Sequence, residues 1–174
     1  MTATEQSAPA DQAAARQAIA ELKARYFRLM DTKDWKAMRE VFAPEAVIDM
    51  REERQRLIDA GWAALEDNGP RDVPRSRDDI IADYERSVQG LLTVHHGHMG
   101  EIEFQSPSDA TGIWAMEDIV RQADGANIRE MHGYGHYHER YILDEEGKWR
   151  IAALRVTRLF VTLSTQIAAS LHTG

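Results

Sequence analysis

After Gly90 the apolar residues change period, and no other feature of the chain constrains its fold as much. Before that point, Ile19, Leu22, Tyr26 and Leu29 fall at i, i+3, i+7 and i+10, one stripe of an amphipathic helix that starts near Gln12. Beyond it, LLTVHHGHMGEIEF, ATGIWAMEDIVRQ, EMHGYGHYHERYIL and KWRIAALRVTRLFVTL alternate or run apolar, with many β-branched and aromatic residues. Only SPSD, ADGAN and DEEG separate these stretches, and such turns are too short for crossover helices. Helices first and a strongly bent antiparallel meander after them define an α+β domain.

The rest of the first half fits the same plan. Asp34 is placed to cap a second short helix with Trp35, Met38 and Phe42 on its buried side, ended by Pro44. VIDM at 47–50 reads as a short strand. Ser76 and Asp79 form a capping-box pattern that opens a third helix, with Ile80, Ile81, Tyr84 and Val88 inward. Residues 51–75 stand apart: a charged start (REERQR), an apolar set of Leu57, Ile58, Trp62 and Leu65, then NGPRDVPR. This segment reads as a short helix and a loop, longer than the domain needs, and is expected to cover a binding pocket as a lid. Gly61, Gly69, Pro70 and Pro74 bound it. Residues 1–11 read as a disordered tail, 12–163 as one domain, and 164–174 as a second tail.

At 174 residues with 43% hydrophobic side chains the chain can build its own core, and without cysteine it has no disulfides or thiolate chemistry. The balance of 21 Lys+Arg against 29 Asp+Glu gives a net charge of −8. That argues against a nucleic-acid backbone or an anionic membrane surface as partner. No apolar run approaches a membrane span, and the N-terminus lacks a signal-peptide pattern, so a soluble cytoplasmic protein is expected. Phosphate-binding glycine loops, G-x-S-x-G and H-E-x-x-H are all missing from the sequence. Six of seven histidines lie in two clusters, His95, His96 and His98, then His132, His136 and His138, which directs attention to acid–base or metal chemistry.

Four stretches, LKARYFRLMDTKDW at 22–35, HHGHMGEIE at 95–103, GIWAMEDIV at 112–120 and YHERYILDEEGKW at 137–149, resemble the nuclear transport factor 2-like superfamily and its SnoaL-like polyketide cyclase branch. The resemblance implies a cone-shaped barrel with three N-terminal helices and an open mouth. Among the enzymes of that branch the likeness is to bile-acid 7α-dehydratases and scytalone dehydratases, and further off to hexachlorocyclohexane dehydrochlorinases. A tyrosine with an aspartate five residues on matches Tyr26 and Asp31. The H-x-G-H stretch places its histidine at His95, W-x-x-E-D its carboxylate at Asp118, and a last-strand arginine matches Arg158. The sequence departs from the pattern at Gly100, where proline is usual, and in the longer 51–75 segment. The implied activity is a dehydratase-type lyase with no cofactor and no metal, acting on a hydrophobic hydroxylated polycyclic or aromatic compound. An isomerase or cyclase using the same pocket, or a non-catalytic small-molecule or protein-binding module, is the alternative. A homo-oligomer is implied, trimer before dimer.

Each site residue also has a plainer reading. Asp31 ends the first helix, where the macrodipole raises a carboxyl pKa; otherwise it is a turn aspartate. Strict alternation turns Val94, His96, His98 and Ile102 inward and leaves His95 outside, whereas the motif selects His95. A bulge at Gly97 would shift the phase and reconcile the two. Asp118, among Trp114, Met116 and Val120, would have a raised pKa if buried, or else marks a solvated edge. Tyr26 is a core tyrosine or a donor to substrate oxygen. Arg158 shares the parity of Leu154, Val156 and Phe160 and needs a carboxylate, from protein or substrate. Tyr137, His98 and Trp62 complete the expected substrate contacts. The pairs His96/His98 and His136/His138 have the spacing to offer four nitrogens to a metal, the competing reading.

Overall fold

The computed structural model describes residues 9–62, 75–124 and 127–167. Among the described residues four α-helices, α1 (Pro9–Thr32), α2 (Trp35–Met38), α3 (Arg51–Asp59) and α4 (Arg77–Ser87), accompany six strands. The strands are β1 (Phe42–Asp49), β2 (Arg75–Ser76), β3 (Leu91–Ser106), β4 (Asp109–Asp124), β5 (Asn127–Leu143) and β6 (Trp149–Ile167). They form one curved, unclosed sheet in the order β2-β1-β6-β5-β4-β3. The meander β3 to β6 is antiparallel throughout, as the short turns require.

Parts of the chain differ from the pattern reading. Helix α1 begins at Pro9 rather than near Gln12, and β6 continues to Ile167. Phe42 and Pro44 belong to β1, which runs parallel to β6 and is interrupted between Phe42 and Val47, where a proline costs no regular ladder bond. The expected caps are in place: Asp34 accepts from the Ala37 N–H, and Ser76 from the Asp79 N–H. The N-terminal tail up to residue 8 and residues 168–174 lie outside the described residues. So do Leu65, Gly69, Pro70 and Pro74 of the 51–75 segment.

Of the register shifts in the meander, two bear on the site, one in β3 and one in β6. In β3, Gly97 pairs with Met116 and Gly100 with Trp114, so the strand carries one residue more than its partner there. Thr93, His95 and Gly97 therefore face inward before the bulge, and Gly100 and Ile102 after it. A Cβ at Gly97 would lie 2.3 Å from the Phe27 ring, and one at Gly100 2.6 Å from Trp114, so both glycines admit an aromatic ring against the backbone. In β6 one extra residue falls at Leu159, between the partners of Tyr134 and Gly135. Here a Cβ at Gly135 would meet the Thr157 carbonyl oxygen at 2.0 Å. This bulge breaks the expected parity of β6: Arg158 is buried with Leu154 and Val156, but Phe160 is 55% exposed.

The main core joins the stripe of α1 (Ile19, Leu22, Tyr26, Leu29, Met30) to the inner face of the sheet. A smaller cluster of Leu57, Trp62, Val120 and Met131 attaches the α3 segment to the far part of β4 and β5.

Candidate active site

A cavity of about 200 Å³ opens between the concave face of the sheet, α1, α3 and α4. Its walls are largely apolar, from Met30, Ile48, Leu57, Trp62, Ile80, Val88, Val120, Met131 and Val156. Two polar clusters break this lining.

The first is built where α1 ends. Lys33 adopts a left-handed conformation (φ 58°) that stops the helix, leaving Asp31 in its last turn. Asp31 uses both carboxylate oxygens on one residue: Oδ2 accepts from the His95 backbone N–H at 2.9 Å, and Oδ1 accepts from His95 Nδ1 at 2.6 Å. Thr93 Oγ1 adds a third hydrogen bond to Oδ1 at 3.0 Å, and Lys33 Nζ donates to that hydroxyl at 2.6 Å. With Nδ1–H directed at Asp31, the hydrogen-bond network assigns the tautomer that leaves a lone pair on Nε2. Phe27 stacks on the imidazole at 6.4 Å between centroids, 15° from parallel, and Gly97 makes room for it.

The expectation that the helix end raises the Asp31 pKa is corrected here. Burial does push the carboxyl up, but the hydrogen bonds from His95, both ring and backbone, and from Thr93 outweigh it and hold Asp31 below the ordinary range. Asp31 is thus an anion suited to orienting a histidine rather than a base in its own right.

The second cluster centres on Arg158. Its Nη1 and Nη2 donate to Asp118 at 2.7 and 2.5 Å, while Nη2 and Nε donate to the two oxygens of Glu53. The remaining Nη1 hydrogen approaches Met116 Sδ at 3.7 Å. Every N–H of the guanidinium is then committed within the protein, so none is left for a substrate oxygen. Of the two partners the sequence left open for Arg158, a carboxylate of the protein or of the substrate, the structure provides the first, twice over. Gly133 makes the arrangement possible, since a Cβ there would lie 2.2 Å from Nη1 and 2.6 Å from Asp118 Oδ1. Burial lowers the arginine pKa, but the bonds and charges of Asp118 and Glu53 more than reverse this.

Tyr26 and Tyr137 line the cavity beside these clusters, both buried, with ring centroids 5.9 Å apart edge to face. Burial raises both phenols well above their ordinary pKa, so they are neutral donors at any physiological pH. Tyr84 faces Tyr26. The two hydroxyls lie close enough to affect each other's ionisation, yet the Tyr84 hydroxyl has no hydrogen bond of normal geometry. Trp62 is buried and lines the cavity, held by Arg129, which donates to its carbonyl at 3.1 Å and packs over its ring.

Not every expected residue is here. His98 is exposed and lines no cavity wall, because the bulge after Gly97 sends it outward. His96 is exposed too, near Glu117 on the outer face. His138 instead hydrogen-bonds Thr157 Oγ1 at 3.0 Å, and among the described residues no group of three or more His, Asp or Glu is placed to hold a metal ion. Glu53 was missed by the pattern reading. REERQR looks like a solvated charge run, and the one available signal is that Glu53 lies a helical turn before the buried Leu57.

Comparison with known proteins matches the SnoaL-like domain model over residues 11–155. The chain belongs to the SnoaL-like domain family. This places it in the nuclear transport factor 2-like superfamily, and solved structures agree on the fold. A scytalone-dehydratase-like protein from Novosphingobium aromaticivorans superposes with a TM-score of 0.69 at 15% identity, covering 96% of this chain and 99% of that one. A type-2 hexachlorocyclohexane dehydrochlorinase gives a TM-score of 0.69 at 16% identity, covering 96% and 100%. The type-3 dehydrochlorinase from Novosphingobium barchaimii gives 0.66 at 17%, covering 96% and 99%. The SnoaL-like domain here is therefore the α+β cone expected from the sequence. Among its described residues, no helix is long and apolar enough to cross a membrane.

Proposed function

We propose that this SnoaL-like domain is a small-molecule lyase that eliminates water from a hydrophobic hydroxylated compound, polycyclic or aromatic, with side chains supplying the acid–base chemistry. The observation that carries this reading is the Asp31–His95 pair at 2.6 Å, opening into an apolar cavity. His95 Nε2 removes an acidic C–H proton next to a carbonyl or conjugated system. Asp31 holds the ring in the required tautomer and stabilises the imidazolium, the division of labour seen in other His–Asp pairs. The departing hydroxyl leaves toward the polar wall of Tyr26, Asp118 and Glu53. Acid–base steps of this kind contribute roughly 10²–10⁴-fold each. A scytalone-dehydratase-like protein and dehydrochlorinases share the fold, which is consistent with elimination in such a cavity.

The test is incubation of the protein with a panel of hydroxysteroids and hydroxylated polyketides in D₂O, followed by mass spectrometry. Loss of water from one member is the expected result. Deuterium exchange without loss of water would identify an isomerase, and neither outcome, with ligand still bound, a binding module. Exposed Leu159, Phe160 and Leu163 on β6 support a homo-oligomer built on the last strand, read out by light scattering.

A further inference from the structure

The Arg158 cluster contains one cation and two carboxyl groups, so if both were ionised the cluster itself would carry a net negative charge where it lines the cavity. Low-dielectric surroundings disfavour that, and the cheapest relief is a proton on one of the two. Burial alone would favour Asp118, the less exposed of the two, so what separates them is how each is held. Asp118 comes from β4, an inner strand hydrogen-bonded to β3 and β5, directly opposite Gly133 and His95 in the ladders. Its side chain is 4% exposed and locked against Arg158 by the space that Gly133 leaves. Glu53 comes from α3, on a longer side chain that is 9% exposed. Both line the cavity.

Resting on the elimination reading above, we propose that Glu53 is the proton donor of this site: it delivers its carboxyl proton to the leaving oxygen, while Asp118 stays bound to Arg158 through two hydrogen bonds. The groups that face Glu53 support this. Burial pushes its carboxyl up; the hydrogen bonds and charge of Arg158 pull it down; Asp118 from β4 pushes it up and His95 from β3 pulls it down, with a net rise. The first turn of α3 favours the anion and works in the opposite sense, which burial overcomes.

The step balances. The substrate C–H bond breaks to His95 Nε2, the C–O bond breaks, a C=C bond forms, and the Glu53 O–H proton joins the leaving hydroxide as water. The cluster then bears its extra negative charge at the moment His95 is an imidazolium, so each new charge has its counterpart across the cavity. Return of the proton from His95 to Glu53 after product release restores the resting state.

The test uses the full chain carrying glutamate labelled with ¹³C at the side-chain carboxyl, titrated by NMR. The Glu53 resonance is assigned as the one lost in Glu53→Gln and, in case that variant folds poorly, also in Glu53→Asp. A resonance that titrates above those of the exposed glutamates is expected. One that titrates with them overturns the proposal, whatever reaction the protein performs. On whichever panel member wild type dehydrates, Glu53→Gln should lower kcat roughly 10²–10⁴-fold with KM nearly unchanged. Unchanged kcat would equally overturn the proposal. Failure of the lyase reading itself shows as no dehydration by wild type, an outcome distinct from either of these.

Discussion

Two of the ion clusters built on a buried cation among the described residues, those of Lys23 and Arg158, differ in a way that separates support from chemistry. Beneath the cavity, Lys23 Nζ donates to Glu139 at 2.5 Å, Tyr141 donates to the same carboxylate, and Trp114 Nε1 donates to the Tyr141 oxygen at 2.7 Å. The ammonium also sits 3.4 Å from the centroid of Tyr137 and 4.3 Å from that of Tyr26. One cation meets one anion, and none of Lys23, Glu139, Tyr141 or Trp114 lines the cavity. Around Arg158, one cation meets two carboxyl groups, and all three line it. Although burial lowers the Lys23 ammonium to about 8, the sealed pair has no path to a substrate; the unbalanced one lines the cavity and has a proton to give. The shared Tyr26 and Tyr137 rings form the partition between them.

The sharpest way to break this contrast is to disturb the sealed pair. Lys23→Met leaves Glu139 buried without its cation and should cost about 3–5 kcal/mol in urea unfolding. A loss below about 1 kcal/mol would mean that the lower cluster is not structural. Next in size is Trp62→Ala, which removes an aromatic wall of the cavity. On a panel member that turns over, KM should rise roughly tenfold or more, in line with about 1.5–3 kcal/mol for a buried side chain of this kind. The His95–Asp31 bonds should survive, as judged from the His95 amide and ring NMR signals. An unchanged KM would make the α3 segment a surface insertion.

The smallest effect concerns pH. Because Asp31 is held below its ordinary value of 3.8, the folded state releases its proton more readily than the unfolded chain. Its contribution is present above that pH and is lost as the pH falls through the lower folded value. Asp31 is partly solvated, so the advantage of wild type over Asp31→Asn should be under about 1 kcal/mol at pH 6 and shrink below pH 3.8. Unfolding curves at several pH values measure it. A gap that widened on acidification would reverse the assigned direction.

Much of this architecture is written in periodicity. The helix stripe, the four long strands and the caps at Asp34 and Ser76 follow from local chemistry, because each needs only near neighbours. The Asp31–His95 pairing was legible through motif spacing together with Gly97, since a glycine inside a strand signals a phase shift. What escaped depends on long-range packing. Leu159 carries no glycine to flag its bulge; the flag, Gly135, lies on the neighbouring strand, so Phe160 was assigned to the wrong face. Glu53 and Arg158 are 105 residues apart, and nothing near either one announces the other. Lys23 was likewise hidden within an apolar stripe, where its partner comes from β5.

The most direct test of the central assignment is the turnover of a dehydrated panel member by wild type and by His95→Ala, measured alongside thermal unfolding of both. With the imidazole as base, kcat should fall roughly 10²–10⁴-fold while the fold is retained. A folded His95→Ala protein that dehydrates the same compound at the wild-type rate would contradict the assignment.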